Sequence, residues 1–467
     1  MDTLNNIVLT IQHYLADYIL IVALFCAGIW FSIQTKFIQV RGFKRGIKQV
    51  FGGLFSKKGD AGNDGMSSFQ ALATAIAAQV GTGNIAGAAT AIALGGPGAI
   101  FWMWVAAFLG MATIYSEALM AQKYKRVGAD GVVTGGPVYY IRAAFQGAFG
   151  KILAGIFAVL LIFALGFMGN AVQSNSIAVS FHTAFGIPQW IMGLVVAVLA
   201  LFIFSGGMKR IAKVTETIVP LMAALYIIGS LIVIIYNWRN IPLAFYEIFV
   251  GAFAPQSIAG GAVGATIKLA LTKGVARGLF SNEAGMGSTP HAHAVAKVEH
   301  PVIQGHAAMI GVFIDTFIVL TMTALVIVTS RALPLSYDVV DGGYTGAELS
   351  QFAYSTLYGK GGEIFIAVCM FFFAFSTIVG WYFFGQANIK YLFGSKAVPI
   401  YSALVCVCVF LGSLAQVDLV WNMADCFNSM MVIPNIIGLL ALTGMVKKVH
   451  DDYFTNFLPA QKKSSKK

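Results

Sequence analysis

Runs of apolar residues long enough to cross a lipid bilayer recur along the whole chain, divided by short polar or basic stretches. A helix needs about 20 mostly apolar residues to cross the hydrocarbon core. On that rule spans fall near Tyr14–Ile33, Ser67–Leu94, Gly98–Ala121, Ile152–Ile177, Trp190–Ser205, Ile211–Tyr236, Ile258–Lys297, Val302–Ser330, Ile364–Ile389, Val398–Leu414 and Leu419–Met445. The pattern predicts an all-α polytopic membrane protein of about eleven spans. Two of the runs are broken by polar, glycine-rich strings, Gln79-Val80-Gly81-Thr82-Gly83-Asn84 and Ser281-Asn282-Glu283-Ala284-Gly285-Met286-Gly287-Ser288. At bilayer depth every freed backbone N–H and C=O needs a partner, so irregular backbone survives only where it lines protein or a cavity. A broken membrane helix is therefore a candidate binding site.

One glycine pair inside a membrane helix is more often a packing notch for a neighbour. Here the two breaks occupy corresponding positions. Counted from the first broken helix, the spans divide into five (Ser67–Tyr236) and five (Ile258–Met445), each set opening with a break. An odd number of spans per set makes the two halves run oppositely through the bilayer, the inverted-repeat signature of secondary transporters. The expected organisation is an extra membrane helix and basic connector (1–65), a first five-helix repeat (66–240), a second, inverted one (241–446) and a basic tail (447–467).

Composition agrees with a lipid environment: 58% of the 467 residues are hydrophobic and 10% charged, mean hydropathy is +0.79, and soluble domains carry about a quarter charged residues. The net charge of +11 does not call for nucleic acid, because the basic residues fall in the loops that cytoplasmic orientation requires. Lys36, Arg41, Lys44, Arg45, Lys48, Lys57 and Lys58 crowd the connector, and Lys123, Lys125, Arg126, Arg142, Lys209, Arg210, Lys213, Lys390, Lys396, Lys447 and Lys448 follow the same alternation. The longest loop on the other side, Arg331–Gly362, carries Asp338, Asp341 and Glu348. The expectation is a multi-pass protein of a bacterial or archaeal plasma membrane, N-terminus outside, C-terminus cytoplasmic, with no cleaved signal peptide. Cys26, Cys369, Cys406, Cys408 and Cys426 lie in apolar runs without ligand spacing and read as small buried hydrophobes.

Three strings, Gln79-Val80-Gly81-Thr82-Gly83-Asn84-Ile85-Ala86-Gly87, Ser281–Ser288 and Phe375-Ser376-Thr377-Ile378-Val379-Gly380-Trp381, resemble those of the alanine or glycine:cation symporter family, within the amino acid–polyamine–organocation superfamily. The resemblance covers nearly the whole chain. It implies a leucine-transporter-type fold, a 5+5 inverted repeat with one extra N-terminal helix, that carries small neutral amino acids (alanine, glycine, serine) with sodium or, less often, protons. One chain suffices for such transport, and no organic cofactor is implied.

The residues fit such a substrate on physical grounds. A zwitterion needs donors for its carboxylate, acceptors for its ammonium and a small pocket. The amides of Thr82, Gly83 and Asn84 begin a half-helix whose positive end suits a carboxylate, and those of Gly285, Met286 and Gly287 are second candidates. Gly81 lets a ligand approach the backbone. Carbonyls near Phe280 and Ser281 are candidate acceptors for the ammonium, and Met286 and Trp381 candidate caps of the side-chain pocket, though Trp381 reads equally as a packing aromatic. Asn170, Gln173, Ser174 and Asn175 form a polar cluster costly to face with lipid; Gln173 is the expected substrate contact, and Asn170 and Asn175 serve equally well as glue between helices.

Ser376 and Thr377 place adjacent hydroxyls mid-helix, where back-bonding to the preceding turn is the bland alternative. The resemblance implies a sodium site there, with the carbonyls of Ala77, Val80 and Phe373, and a second possible site at Gln79, Asn84 and Ser281. Glu283, an intramembrane carboxyl, either tethers the unwound segment or carries a proton, which is the basis of the alternative reading as a proton-coupled symporter. Lys268, Lys273 and Arg277 suit a wet outer vestibule, with Asp418 as a gate partner for one of them. His291, His293 and His300 lack supporting acidic or cysteine ligands for a metal. Neither a nucleophile–base constellation nor a phosphate-binding Gly-x-x-x-x-Gly-Lys-Ser/Thr string occurs, which argues against an enzyme and against ATP-driven transport.

Overall fold

The computed structural model describes residues 14–54, 65–128, 131–254, 267–332, 344–415 and 417–464, with the side chains of 16–17, 53–54, 417–419 and 462–464 left aside. Outside them lie the outer start of the second broken run, the connector residues Lys57, Lys58, Asp60 and Asp64, loop residues Asp338 and Asp341, and the side chain of Asp418.

The described residues are almost wholly helical. In order they form α1 (Ile21–Gln34), α2 (Phe43–Leu54), α3 (Ser68–Gln79), α4 (Ala88–Gly95), α5 (Gly98–Lys123), α6 (Pro137–Ala144), α7 (Gly147–Leu161), α8 (Asn170–Phe185), α9 (Gln189–Phe204), α10 (Gly207–Tyr236), α11 (Ile241–Gly251), α12 (Ile267–Asn282), α13 (Pro290–Ala294), α14 (Pro301–Val312), α15 (Thr321–Thr329), α16 (Gly346–Tyr358), α17 (Lys360–Phe393), α18 (Val398–Leu414), α19 (Val417–Ala441), α20 (Thr443–Asp452) and α21 (Leu458–Ser464). One small antiparallel ribbon pairs β1 (Arg126–Val127) with β2 (Val133–Thr134).

Wide π turns join α7 to α8 (Ile162–Gly169) and α14 to α15 (Phe313–Leu320), and a third, Gly83–Gly87, precedes α4. Among the described residues seven helices are long and apolar enough to cross a membrane: Gly98–Lys123, Gly147–Phe185, Gly207–Tyr236, Pro301–Thr329, Lys360–Phe393, Ser395–Leu414 and Val420–Ala441. Tyr18–Gln34, Gly83–Gly95 and Gln189–Phe204 are shorter apolar helices.

The interior is built around α5 and α17. α5 packs against α1, α12 and α14, while α17 packs against α3, α8, α10 and α16. Outward-facing large apolar residues such as Phe202, Ile228, Ile235, Ile400 and Leu411 are exposed, as a lipid-facing surface requires.

The tail, read from its sequence only as a basic extension, is folded. α20 and α21 continue past α19, and Tyr453 Oη accepts from Gln49 of α2 at 3.0 Å. The amphipathic connector and the tail thus meet over α14, where His306 Nδ1 lies 2.8 Å from Gln49 Oε1.

Candidate functional site

α3 starts at a capping box formed by Ser67 and Gln70 and runs out at Val80, whose N–H still reaches Ile76 O at 2.8 Å. Gly81 and Thr82 leave the helix before the π turn. No larger residue fits at Gly81, where a Cβ would strike the Thr377 hydroxyl and lie 3.2 Å from Gln173 Oε1. At Gly83 a Cβ would lie 2.9 Å from Ser281 Cα, so the two broken helices touch through a bare backbone. The Thr82 amide donates to Gln173 Oε1 at 3.1 Å, which brings the expected substrate contact of α8 onto the break.

The second break turns at three residues of positive φ, Glu283 (57°), Gly285 (92°) and Gly287 (78°). Glu283 is the non-glycine among them, a conformation that costs energy and needs support. Its carboxyl is held on both sides: Oε1 accepts from Trp381 Nε1 at 2.5 Å and Oε2 from Ser288 Oγ. Trp381 is therefore more than a packing aromatic.

The expectation that Gly285, Met286 and Gly287 offer amides to a substrate is corrected. Gly285 N–H donates to Glu117 Oε2 of α5 at 3.2 Å and Met286 N–H to Glu283 O at 3.1 Å. Asn435 of α19 locks this arrangement, donating to Glu117 Oε1 at 2.5 Å and to Gly285 O at 2.9 Å and accepting from the Tyr140 hydroxyl. An internal carboxylate occupies the second nest of amides.

Ala77, Val80, Phe373, Ser376 and Thr377 all come together. Thr377 Oγ1 lies 2.9 Å from Ala77 O, 3.5 Å from Val80 O and 3.0 Å from Phe373 O. Ser376 Oγ lies 2.9 Å from Phe373 O and 3.4 Å from Ala77 O. Both readings of this pair hold geometrically, since each hydroxyl reaches the preceding turn of its own helix and also crosses to α3. Two hydroxyl protons face three carbonyl oxygens, an acceptor-rich, donor-poor cluster of the kind a hard cation fills. Close approach of α3 and α17 depends on Gly380, where a Cβ would lie 2.9 Å from Ala78 Cβ and 3.1 Å from Ala78 N. Gly380→Ala is expected to wedge the helices apart at an overpacking cost of about 1–3 kcal/mol. The unfolding midpoint of the purified variant should fall accordingly, read by thermal denaturation beside the parent protein.

Of the three residues of the expected second cation site, Asn84 and Ser281 meet at a residue that sequence reasoning passed over, and Gln79 is engaged beside them. Asp315, buried in the π turn after α14, accepts from Asn84 Nδ2 at 2.7 Å, from Ser281 Oγ at 3.0 Å and from Thr316 Oγ1 at 2.9 Å. One carboxylate thus clasps both broken helices. Asn84 Oδ1 accepts from Gly81 N–H at 2.9 Å, and Gln79 Nε2 donates to Asn282 O at 2.8 Å, a third link between the breaks.

A family model described as the sodium:alanine symporter family matches residues 1–467. The chain belongs to that family. The sodium/alanine symporter AgcS of Methanococcus maripaludis is 42% identical over 94% of this chain and 95% of its own. The amino-acid carrier protein AlsT of Bacillus subtilis is 42% identical over 91% of this chain and 87% of its own, and the probable sodium/glutamine symporter GlnT of the same organism 40% identical over 96% and 91%. Among solved structures, a manganese transporter of Eremococcus coleocola superposes with a TM-score of 0.50 at 13% identity, over 80% of this chain and 76% of that one. That likeness is one of fold.

Within this member of the sodium:alanine symporter family, an amino-acid transporter and not an enzyme, the remaining polar side chains differ in what they touch. Asn175 donates to Gly412 O at 3.0 Å and Ala415 O at 2.9 Å, which makes it glue to α18. Asn170 donates within its own helix to Gly166 O at 3.1 Å. Gln79 Oε1, Thr82 Oγ1, Asn170 Oδ1, Gln173 Nε2 and Ser174 Oγ are buried and meet no hydrogen-bond partner among the described residues. The Phe280 ring stands edge-on to Trp381 at 5.6 Å and packs on Trp421 at 4.9 Å.

Arg277 lies over Trp421 at 4.5 Å and pairs with Asp425 at 3.0 Å. Asp425 stands on the helix of the expected partner Asp418, two turns further along. Lys268 is engaged elsewhere, donating to Tyr18 Oη at 2.7 Å. The histidines are structural: His291 meets Asn388 at 2.9 Å and His293 meets Gln304 at 2.8 Å. His300, between α13 and α14, lies 3.3 Å from Asp452, and burial lowers its basicity.

Proposed function

We propose that this chain is a sodium-coupled symporter of small neutral amino acids, alanine first, with glycine and serine as further substrates, built as a leucine-transporter-type 5+5 inverted repeat behind one extra N-terminal helix. In this reading the domain limits are 1–65, 66–240, 241–446 and 447–467, with the N-terminus outside and the C-terminus in the cytoplasm. The observation that carries it is the acceptor-rich cluster of Ala77, Val80, Phe373, Ser376 and Thr377, set against the first break.

Sodium is cargo at that cluster. It bridges α3 and α17, so its binding favours the state in which the two helices are closed on each other. The substrate's place is beside Gly81, Thr82, Gly83 and Asn84 opposite Gln173, where the groups of Gln79, Thr82, Asn170, Gln173 and Ser174 that meet no partner among the described residues supply donors and acceptors for a zwitterion. Each such buried group left unmet costs about 1–3 kcal/mol, which ligand binding recovers. The carbonyls near Phe280 and Ser281 face the ammonium. Phe280 and Trp381 limit side-chain size, with Met286 behind them.

Asp315, Asn84, Ser281 and the Gln79 carbonyl make the second cation position, and Arg277 with Asp425 closes the outer side. Glu283 acts as tether, which its contacts to Trp381 and Ser288 support over a role as proton carrier.

A neutral zwitterion moving with sodium carries net positive charge inward, and each charge gains about 2.3 kcal/mol per 100 mV. Proteoliposomes given alanine should show an inward current with sodium, a weaker one with lithium and none with a pH gradient alone. Current driven by the pH gradient in the absence of sodium would replace this reading with proton coupling.

A further inference from the structure

A groove of about 460 Å³ runs along the outside of the protein between α7, α17 and α18, lined by Val159, Ile162, Phe163, Phe167, Ile389, Leu392, Phe393, Ala397, Ile400, Tyr401 and Leu404. Its volume lies in the range of about 300–1,000 Å³ found for small-molecule sites. We propose that it binds an anionic phospholipid, one acyl chain in the groove and the headgroup against Lys396.

The lining is apolar throughout, and its outer wall is exposed, with Phe393 at 67%, Ile400 at 66% and Leu404 at 52%. Water would be a poor occupant, and a hydrocarbon chain a good one. One polar atom sits at the groove, the Tyr401 hydroxyl, which is buried and meets no hydrogen-bond partner among the described residues. Its ring carries the groove inward: Tyr401 stacks on Tyr382 at 5.4 Å, and Tyr382 on Phe204 at 3.5 Å. A Cβ at Gly166 or Gly385 would run into the Tyr401 side chain, so the hydroxyl is wedged between α17 and the π turn.

Charge selects among the occupants. At one end of the groove α17 stops at Phe393 and a turn of Ser395–Ala397 leads into α18, placing exposed Lys396 beside the lining residues Phe393 and Ala397. α6, which precedes α7, meets this end of α17 through Tyr139 and Tyr391 at 5.8 Å, and Lys151 is exposed near the start of α7. Basic residues at the membrane surface attract anionic headgroups by about 1 kcal/mol each. A second copy of the chain would bring its own basic rim against this one, whereas an anionic lipid complements it. The occupant would rest on the helix that carries Ser376, Thr377 and Trp381.

The test uses the full chain in vesicles of phosphatidylcholine containing a trace of either phosphatidylglycerol or phosphatidylcholine with a photoactivatable group on one acyl chain. Mass spectrometry of the irradiated protein is expected to place the phosphatidylglycerol label between Leu392 and Leu404, in preference to the phosphatidylcholine label. Lys396→Gln should lower phosphatidylglycerol labelling about fivefold and leave phosphatidylcholine labelling unchanged. The double variant Ile400→Trp, Leu404→Trp should abolish both in this segment, and its unfolding midpoint reports whether it folds. Equal labelling by the two lipids, or labelling indifferent to Lys396→Gln, overturns the proposal. So does efficient chain-to-chain cross-linking through Leu404→Cys with this segment unlabelled, which would make the groove a dimer contact. None of these readouts depends on transport, so they stand or fall apart from the symport reading.

Discussion

An Asp315→Asn protein is expected to reach the membrane folded and yet lose sodium-driven alanine uptake by about 100-fold, equivalent to about 3 kcal/mol. Asp315 receives hydrogen from Asn84, Ser281 and Thr316. An amide in its place keeps one oxygen but turns its NH2 group on the donors it formerly accepted from, so at least one buried donor is left unmet at about 1–3 kcal/mol. It also removes the negative charge that favours a cation at Asn84 and Ser281. Asp315→Leu should be worse, because the hydroxyls of Ser281 and Thr316 lose this acceptor and Asn84 keeps only the backbone oxygen of residue 315, and its unfolding midpoint should fall as well. Uptake of labelled alanine into proteoliposomes over a sodium titration, at matched protein content, makes the measurement. Normal uptake with an unchanged sodium dependence in Asp315→Asn would remove this carboxylate from ion coupling and leave it as a brace.

The second large effect concerns Thr377. Thr377→Ala deletes the oxygen that meets Ala77, Val80 and Phe373, one of five candidate ligands of a cation. The half-saturating sodium concentration is expected to rise at least tenfold, about 1.4 kcal/mol. Thr377→Ser restores the hydroxyl and should return the value to within about threefold of the parent, since only a methyl group is lost. A purely structural role, with the hydroxyl back-bonded to its own helix, predicts instead that Thr377→Ala alters stability but not sodium affinity. Ser376→Ala should act in the same direction more weakly, because its oxygen lies further from Ala77 O, 3.4 Å against 2.9 Å.

What could be read from the chain was whatever breaks a periodic apolar background. The two glycine-rich strings announced themselves because nothing else accounts for free backbone groups at bilayer depth, and the structure brings them into contact at Gly83 and Ser281. Ser376 and Thr377 were legible as a pair of hydroxyls on a buried helix. Asp315 and Glu117 carry a signal in the sequence as well, since a carboxyl inside a membrane helix is already a functional candidate. Their partners, however, are set by folding: Glu117 meets Gly285 across 168 positions of sequence and Asn435 across 318. Local spacing holds no trace of such pairs. Asp418 and Asp425 stand seven residues apart on one helix, about two turns, so spacing alone does not single out Asp425, which Arg277 meets.

Glu117 has a consequence for how this scaffold diversifies. Because a carboxylate belonging to the protein accepts from the amide of Gly285, whereas the Thr82 amide meets only the neutral side chain of Gln173, the carboxylate of an arriving amino acid would compete more readily at the first break and would be held in one polarity only. The main-chain half of every amino acid would be read by the same fixed fixture, while the wall of Phe280, Trp381 and their neighbours remains free to drift. New substrates then become accessible through a few wall substitutions that leave ion coupling intact, which suits relatives named for alanine in one case and glutamine in another.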